Sequence, residues 1–507
     1  YLLDDGTRYV IQESNQALVG QHFVGGHVAY KLNSSKSYLK NNLSVNASFP
    51  KNEGLVNDFV SQTLSGHSFL LSNVMKANYK KKNGGVADLE WKASFADKRG
   101  VLNVSETKMS QLLRQRNFQS EATGSLLAFT IPHLMFNLNG KVMFDWQRVS
   151  AGLNSLSDAS GSEQKTWLLG AFVSPKILLH FGNRLQWLVY VPVGVKYYHS
   201  ADGSLDYDKR FFSTCPYSNL TYKPTGRLSF DLTTICEESM PSVLSQMVLK
   251  HYVNYRTTMS NPHQVEIAPN RSVKLAFTSS YKDIIKMLFG GVTLSYVDAR
   301  NGNSMGYQVV DDVVNYIVQP QSTKNRVWQI EQTVAKGFFR WNSKISESLS
   351  IGTSRSEYYV GGDCHDGRSD YLQAKISYVA SVRKWLNLSI SNDYSVSKPY
   401  TDGKASGEVY RTFMNASSFT FWLGKQLNVV PSVQYYHNNY FSSGRNNVFL
   451  NTVMEYYWGN ATLSLKCTNL LDSRTFHRII DNGITRYSGE YQLRGRTILF
   501  GIRVKII

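Results

Sequence analysis

The 507-residue sequence has no apolar run that approaches the 18 residues of a membrane-spanning helix, which excludes a helical membrane protein. Helical periodicity is nearly absent, and its main exception, 237–255, is expected to form a short helix or a long loop. No Pro-rich, Ser-rich or single-sign linker divides the chain, so one large unit is compatible with its length. With 31 Tyr, 25 Phe and 9 Trp, the chain is too aromatic for a disordered protein.

Cysteine is also scarce. Four cysteines have neither the density of a disulfide scaffold nor the spacing of a metal site. The formal net charge is +18, which would suit nucleic acid or an anionic lipid as a partner. However, no cluster of five or more basic residues occurs, so we expect the Lys and Arg residues to be scattered over water-facing positions and predict no nucleic-acid partner.

Apolar and polar residues alternate along much of the sequence, with a period of two. From 134 to 146 the even positions are almost all apolar, and most odd positions are polar. The same alternation occurs over 87–95, 185–197, 386–396 and the final 498–506. Because successive side chains of an extended strand face opposite sides, each stretch predicts a strand with one apolar and one polar face.

Short and long connections alternate along the chain. Short turns are predicted at 33–35, 82–85, 132–133, 182–183, 223–226, 282–283, 341–343, 383–384, 424–425 and 459–460. Longer polar stretches lie at 50–69, 96–117, 149–163, 237–265, 301–324, 355–369, 437–446 and 472–490. This alternation is typical of outer-membrane barrels, which have short periplasmic turns and long extracellular loops. We therefore predict an all-β fold, a large transmembrane antiparallel up-and-down β-barrel.

The turns also set the expected size of this barrel. The ten hairpins supply twenty strands, the closing strand near 495–507 a further one, and residues 7–15 another, so we predict about 22 strands. Four tryptophans lie within about two residues of a predicted short turn, where an interfacial aromatic girdle is expected: Trp341, Trp385, Trp422 and Trp458. Nothing in residues 1–507 resembles a plug domain, so the whole chain is assigned to the barrel.

The C-terminal region resembles a known family. The segment 468–472 (TNLLD), followed about twenty residues later by 491–496 (YQLRGR) and an alternating last strand, resembles the end of the barrel in TonB-dependent receptors. It is most similar to Bacteroidetes-type receptors, which carry an N-terminal carboxypeptidase-like regulatory domain. The segments 336–338 (KGF) and 343–346 (SKIS) are similar to an internal barrel hairpin of that group.

The resemblance implies a receptor in the outer membrane of a Gram-negative bacterium. Such a receptor would bind a nutrient at its extracellular loops and import it with energy from the TonB complex, acting through a plug domain expected upstream. The ligand would be a glycan, an iron chelate, a cobalamin-like ring or a peptide. A surface lipoprotein would be a further partner, and no cofactor is expected. The residues alone leave open an ungated porin or surface adhesin barrel and a secreted soluble β-protein.

Ligand capture is expected on the long loops, where aromatic faces beside amides suit sugars or ring-bearing ligands. The candidates are Tyr358, Tyr359, Tyr436, His437, Asn439 and Tyr440; loop tips filled with turn-forming residues are the competing explanation. The cluster 363–366 (DCHD) raises a metal hypothesis, but four adjacent side chains do not readily converge on one ion, and we predict no metal site. No catalytic motif with a recognisable context occurs, so we predict no enzyme activity.

One cysteine pair yields a hypothesis of its own. If the chain turns at 223–226, Cys215 and Cys236 lie nearly opposite each other, near the outer rim of the barrel. We hypothesise a disulfide between them, because the outer membrane faces an oxidising side. Cys467 shares the apolar parity of its strand and is expected to be an unpaired, lipid-facing residue.

Overall fold

The fold is seen in a computed structural model. It describes residues 15–57, 60–80, 86–106, 108–154, 159–202, 205–248, 250–262, 265–310, 312–406, 408–439, 445–481 and 486–505. These residues form β-strands almost throughout. The two helical elements in these ranges are the short 3-10 helices Val243–Gln246 and Phe339–Trp341. No helix among the described residues is long and apolar enough to span a bilayer.

The first half of the chain forms strands β1 to β15. They are β1 Asn15–Asn33, β2 Ser37–Val56, β3 Val60–Lys80, β4 Val86–Val104, β5 Met109–Ile131, β6 Leu134–Asn154, β7 Ala159–Phe181, β8 Leu185–Tyr190, β9 Val193–Asp202, β10 Leu205–Thr214, β11 Tyr217–Tyr222, β12 Leu228–Ser239, β13 His251–Asn254, β14 Thr257–Ser260 and β15 Asn270–Asp283.

The second half forms strands β16 to β30. They are β16 Leu288–Asn301, β17 Ser304–Val310, β18 Val313–Gln319, β19 Thr323–Phe338, β20 Ser343–Val360, β21 Asp363–Arg383, β22 Leu386–Thr401, β23 Lys404–Ala405, β24 Tyr410–Leu423, β25 Leu427–Asn438, β26 Asn446–Trp458, β27 Ala461–Thr468, β28 Thr475–Asp481, β29 Arg486–Gln492 and β30 Thr497–Val504.

In the barrel wall each strand pairs antiparallel with its neighbours. β8 and β9 both pair with β7, so together they occupy the place of one interrupted wall strand. β11 pairs with β8 and β10 pairs with β9, so β10 and β11 form a second interrupted strand. The wall runs from β1 through β7 to these two broken strands and then through β12, β15, β16, β19 to β22, β24 to β27 and β30. The extra strand expected at 7–15 lies, apart from Asn15 in β1, outside the described residues, so the total of 22 stays a prediction.

The two faces of the wall differ, as the alternation predicts. On β30 the side chains of Ile498, Phe500 and Ile502 are each more than 60% exposed and share one face. Cross-strand pairing places Cys467 on that same face, opposite Ile498. We call this apolar side the outer face and the other side the lumen face.

Nine of the ten predicted short turns lie among the described residues, and eight of these nine are confirmed at the predicted position or within a residue or two of it. The turn at 81–85 lies outside the described residues. The prediction at 282–283 is wrong by a few residues, because β15 continues to Asp283 and the turn occupies 284–287. The Asp283 carboxylate accepts a hydrogen bond from the backbone N–H of Lys286 and stabilises this turn.

The long connections differ more from expectation. Most residues of 50–69, 96–117, 149–163 and 355–369 are paired strand rather than loop, and each hairpin turns within a few residues. Strands β5 and β7 have 23 residues each, roughly 75 Å, whereas a tilted strand needs only about 9–11 residues to cross a bilayer. The wall therefore extends far beyond the apolar band on the side of the long connections.

The tryptophan prediction is confirmed for three residues and wrong for one. Trp341, Trp385 and Trp458 are at least half exposed at the short-turn end of the barrel. Trp422 lies on the lumen face, where its ring stacks on Tyr457 at 6.3 Å, because the outer face of β24 carries the odd-numbered residues.

Candidate ligand-binding site at the barrel mouth

A small sheet lies across the long-connection end of the barrel. It is built from residues 241–260, which follow β12, and from the hairpin β17–β18; we call these two segments together the cap. Strand β14 pairs in parallel with β18, over Thr257–Ser260. Strand β17 in turn pairs in parallel with the end of β20. Parallel pairing joins segments that no tight turn connects, so the cap is assembled from separate external connections.

The cap is fastened to the far side of the wall by one glutamine. The Gln111 amide on β5 donates to the backbone carbonyl of Tyr252 at 2.7 Å, and its side-chain oxygen accepts from the backbone N–H of Tyr252 at 2.7 Å. Gln111 is 3% exposed. A buried amide that satisfies both backbone groups of one residue replaces the pairing that a neighbouring strand would supply.

Two hydrophobic clusters hold the cap beside this glutamine. In the first, Tyr252 and Tyr255 pack on the wall residues Val56, Val60, Leu102, Val104 and Met109. In the second, Val243 and Met247 of the cap pack with Val149 of β6, and all three are 2% exposed or less. Burying these side chains is worth about 1.5–3 kcal/mol each, so they hold the cap more strongly than its hydrogen bonds do.

Gln246 provides a polar anchor on the third side. Its side-chain oxygen accepts hydrogen bonds from the Tyr198 hydroxyl at 2.5 Å and from the Ser200 hydroxyl at 3.4 Å, both on β9. Val248 N–H donates to the Asp202 carboxylate at 3.4 Å. The cap therefore contacts β2 to β6 and β9 while its own ends continue into β12 and β15.

A cavity of about 620 Å³ lies between the cap and the lumen face of the wall. Its lining is Leu64, Gly100, Leu102, Gln111, Leu113, Pro241, Ser242, Leu244, Ser245, His251, Tyr252, Val253, Met259, Asn270, Asn303, Ser304, Met305 and Val318. None of these described residues is Lys, Arg, Asp or Glu. The volume is typical of sites for small organic ligands, and the lining is mainly apolar with a few amides and hydroxyls.

Tyr358 and Tyr359, two of the predicted ligand residues, lie at the end of β20 beside the cap. Tyr358 is buried in a cluster with Tyr307, Val314 and Val360, and burial raises the pKa of its phenol. Tyr359 pairs with Gly306 of β17. Tyr358 thus stabilises the attachment of the cap, and neither tyrosine is among the residues that line the cavity.

The other predicted residues lie elsewhere on the mouth. The Tyr436 ring packs on Phe476 of β28 at 5.3 Å, and the His437 ring nitrogen Nδ1 is 2.8 Å from the Asn446 side-chain oxygen. Asn439 bridges the backbones of Arg411 and Val409. Tyr440 lies outside the described residues.

The two groups of predicted residues do not form one site. They lie at the ends of β20 and β25, which β21, β22 and β24 separate in the wall order. Four strand spacings amount to about 19 Å along the wall, which exceeds the size of a single small-ligand contact.

The DCHD cluster begins strand β21, so its side chains alternate between the two faces. His365 Nδ1 lies 2.8 Å from the Asp402 carboxylate, and this hydrogen bond lowers the pKa of Asp402. Among the described residues no group of three or more His, Cys, Asp or Glu is arranged to hold a metal ion.

Cys215 and Cys236 are neighbours, as the turn at 223–226 predicts. The prediction that they lie near the outer rim is wrong, because β10 continues about ten residues beyond Cys215, up to Leu205. Their sulfur atoms are 3.4 Å apart, and both thiols are free in the structure. Cys215 lies in the break between β10 and β11. Beside it, the buried ion pair Lys196–Glu238 joins β9 to β12 with Nζ and Oε1 2.7 Å apart.

The C-terminal segment 468–472 forms a structural clip. Asn469 has a positive φ of 53°, and its side-chain amide donates to the carbonyls of Ser473 and Arg494. The Asp472 carboxylate accepts from the backbone N–H of Arg496 at 2.9 Å. These bonds close the base of the hairpin β28–β29 and join the segment 468–472 to 491–496.

Sequence reasoning missed the cavity because its lining comes from segments that are far apart in the chain. One signal was present, since 237–255 combines apolar residues with helical spacing in an external region that is otherwise polar. In the structure this region forms a 3-10 helix and β13 within the cap.

No protein-family model matches the sequence, and no curated protein does. Solved structures do match. The unliganded ferric citrate transporter FecA matches 97% of this chain and 75% of its own with a TM-score of 0.52 at 10% identity. The ferripyoverdine receptor of the outer membrane of Pseudomonas aeruginosa, bound to ferripyoverdine, matches 97% of this chain and 71% of its own with a TM-score of 0.50 at 8% identity.

A third structure, the FpvAI–pyocin S2 complex, matches 97% of this chain and 72% of that one with a TM-score of 0.50 at 8% identity. The chain has the β-barrel fold of TonB-dependent outer-membrane receptors. This confirms the predicted fold class. At identities this low the likeness concerns the fold and does not extend to the ligand.

Proposed function

We propose that residues 1–507 form the barrel of a TonB-dependent receptor in the outer membrane of a Gram-negative bacterium, which imports a small nutrient. The plug domain and the TonB-contacting segment would be encoded upstream. The fold and the apolar outer face support the membrane placement. The resemblance of 468–472 and 491–496 supports the Bacteroidetes type, with its carboxypeptidase-like regulatory domain and a surface lipoprotein as a partner over the mouth.

The cavity under the cap is the observation that carries the ligand class. A charged chelate would lose its hydration there without gaining an ionic partner from the lining, and that loss is costly. A neutral, largely apolar molecule would bury its surface against Leu64, Leu102 and Met259, with amides and hydroxyls available for one or two polar groups. We therefore favour a neutral, mainly apolar cargo.

The cap also favours gated uptake over an ungated porin. A porin needs an open aqueous path, whereas Gln111, Gln246 and two hydrophobic clusters fasten this cap across the mouth. A surface adhesin would use the outside of the cap and would not need the cavity.

Dye uptake by cells that produce the full-length protein tests this function. The probe is the neutral dye N-phenyl-1-naphthylamine, compared with the anionic 1-anilinonaphthalene-8-sulfonate of similar size. We expect the neutral dye to accumulate in a strain with TonB and not in a strain without it. Equal accumulation in both strains, or steady conductance of the purified protein in planar bilayers, would support the porin alternative instead.

A matched pair of variants localises the binding site. Leu64→Trp adds an indole to the cavity lining, whereas Leu70→Trp adds the same group to the same face of β3, six residues away and outside the lining. Binding of the neutral dye to purified protein should fall several-fold in Leu64→Trp and stay unchanged in Leu70→Trp. Equal effects of both substitutions would place the dye elsewhere.

A further inference from the structure

A row that contains three arginines on neighbouring strands crosses the outer face of the wall. Cross-strand pairing aligns Asp298, Arg326, Arg355, Arg368 and Tyr400 on the neighbouring strands β16, β19, β20, β21 and β22. Each of these residues comes from a different strand, so the sequence shows no basic cluster here. The expectation that the basic residues are scattered is therefore wrong for this surface.

The arginines in this row are only partly neutralised. Like charges directly opposite each other on a sheet are destabilising, and Arg355 stands between Arg326 and Arg368. Arg368 forms a bidentate pair with Asp370, at 2.9 and 2.6 Å. Arg326 comes no closer than 3.7 Å to Asp298. Arg355 has no carboxylate within 4 Å among the described residues, although it interacts electrostatically with Asp370 at longer range.

A mainly apolar groove of about 700 Å³, whose lining also includes Asp370 and Lys398, lies directly beside the row. Its walls include Trp328, Ile330 and Ile351, which are each more than 40% exposed on the outer face. The Trp328 ring packs on Tyr296, with ring centroids 4.3 Å apart, in the position of an interfacial aromatic. Basic groups and an apolar groove thus form one amphiphilic surface.

The height of the row matches the outer edge of the bilayer. Arg355 is twelve positions from the start of β20 at the short-turn end. At about 3.3 Å per residue and a tilt near 45°, this places it roughly 28 Å above the short turns, where the hydrocarbon gives way to headgroups. The groove below lies within the apolar band.

We propose that Arg326 and Arg355, with Arg368 beside them, bind the phosphate of a phosphorylated glycolipid of the outer leaflet, one acyl chain of which lies in the groove past Trp328. Two guanidinium groups on neighbouring strands are about 4.8 Å apart at their backbones, so both reach one phosphate. Guanidinium forks bind phosphate oxygens with charge-assisted hydrogen bonds. The inference requires the membrane placement but not the transport function.

A second basic row on the same face provides a matched control. Pairing aligns Asp97, Arg116, Arg148 and Lys165 on β4 to β7. Here every cation has an acidic partner, since Arg116 is 3.5 Å from Asp97 and Glu163 lies within 3 Å of both Arg148 and Lys165. This row is already neutralised by the protein, so it should bind phosphate less well.

The test measures binding of bisphosphorylated lipid A to the purified full-length protein by native mass spectrometry. The Arg326→Gln/Arg355→Gln double variant should bind at least about tenfold more weakly, as expected for the loss of charge-assisted bonds. Arg355→Lys, which keeps the charge without the fork, should lose less. Arg148→Gln should bind as the unmodified protein does. Heat-modifiable migration in gels verifies that each variant is folded.

Four results would overturn the proposal. The first is an unchanged affinity of the double variant for lipid A, and the second is a loss of binding in Arg148→Gln as large as in the double variant. The third is equally strong binding of lipid A without phosphates. The fourth is complete displacement of lipid A by inorganic phosphate at millimolar concentration, which would indicate a free-anion site. None of these measurements depends on nutrient uptake, so they stand apart from the test of the transport function.

Discussion

In the wall each strand pairs with neighbours that lie close in the sequence, whereas the cap is held by residues that lie far apart in it. The hairpin of β5 and β6 begins with Ile131 paired to Leu134 and continues outward for twenty further pairs. The cap contact between Gln111 and Tyr252 joins residues 141 positions apart. Three strands, β15 to β17, lie in the chain between strand β14 and its parallel partner β18.

This difference separates two physical origins of structure. The wall forms because lipid favours apolar side chains on one face and the lumen favours polar side chains on the other. The sequence of each strand therefore determines which of its faces meets lipid. The cap forms because scattered apolar residues find a common cluster after the wall has brought them together. We therefore expect the wall to be destabilised by a charged residue on its lipid-facing side. The cap should be destabilised by the loss of a contact between residues that are far apart in the sequence.

The largest expected effect comes from a charge on the lipid face. Val142 on β6 is 54% exposed on the outer face and lies about mid-height in the apolar band. Val142→Arg should lower the free energy of unfolding by about 2–4 kcal/mol, the cost of an arginine near the bilayer midplane. Urea titration of the protein in lipid vesicles, followed by heat-modifiable migration, measures this loss.

The adjacent residue is the control. Met143 faces the lumen, where pairing sets it opposite Glu121. Met143→Arg should change stability little, because the new charge has water and a carboxylate beside it. If the two variants lose equal stability, the assignment of faces in β6 is incorrect and the membrane placement loses its main support.

The second-largest expected effect is a gain of stability from a disulfide at the break in the wall between β10 and β11. With sulfur atoms 3.4 Å apart, Cys215 and Cys236 should form a disulfide, in which the two thiols give two protons and two electrons to an oxidant such as copper phenanthroline. We expect a gain of about 2 kcal/mol, below the chain-entropy value for such a loop, because the hairpin β11–β12 already constrains the chain.

Mass spectrometry of protein alkylated before and after reduction detects the bond as a loss of two hydrogens. Cys236→Ser should abolish both the mass change and the added stability. Cys467→Ser is the matched control, since this cysteine pairs with Ile498 on the outer face and should change neither. Full alkylation of Cys215 and Cys236 without reduction, in protein treated with the oxidant, would contradict the prediction.

The predictability of the fold follows the same division. The hairpin at 132–133 and the alternation of 134–146 were recognisable because one face of β6 meets lipid. Above the bilayer both faces meet water, so the apolar contrast disappears although pairing continues. This is why 149–163 was expected to be a loop, whereas β6 and β7 extend to Asn154 and from Ala159.

The candidate sites were less predictable for a different reason. The sequence predicts Tyr358 as a ligand-binding residue, but its role in the cap depends on Tyr307 and Val314, which only the folded chain brings to it. The arginine row is similar, because Arg326, Arg355 and Arg368 become neighbours through strand register alone. A shift of one residue in any strand would move its arginine to the lumen, and the sequence does not determine register to that accuracy.

The smallest effect, and the sharpest test of the cap, comes from Gln111. Gln111→Leu keeps the size of the side chain and removes both hydrogen bonds to Tyr252, so it should weaken the cap by about 1–2 kcal/mol. Hydrogen exchange over 241–260 should speed up roughly five- to thirtyfold while exchange in β5 to β7 stays unchanged. Gln115→Leu, on the same face of β5 but outside the cap contacts, is the control. If exchange speeds up equally in the cap and in the wall, the two regions form one cooperative unit. If neither changes, the hydrophobic clusters around Tyr252 and Met247 hold the cap without the glutamine.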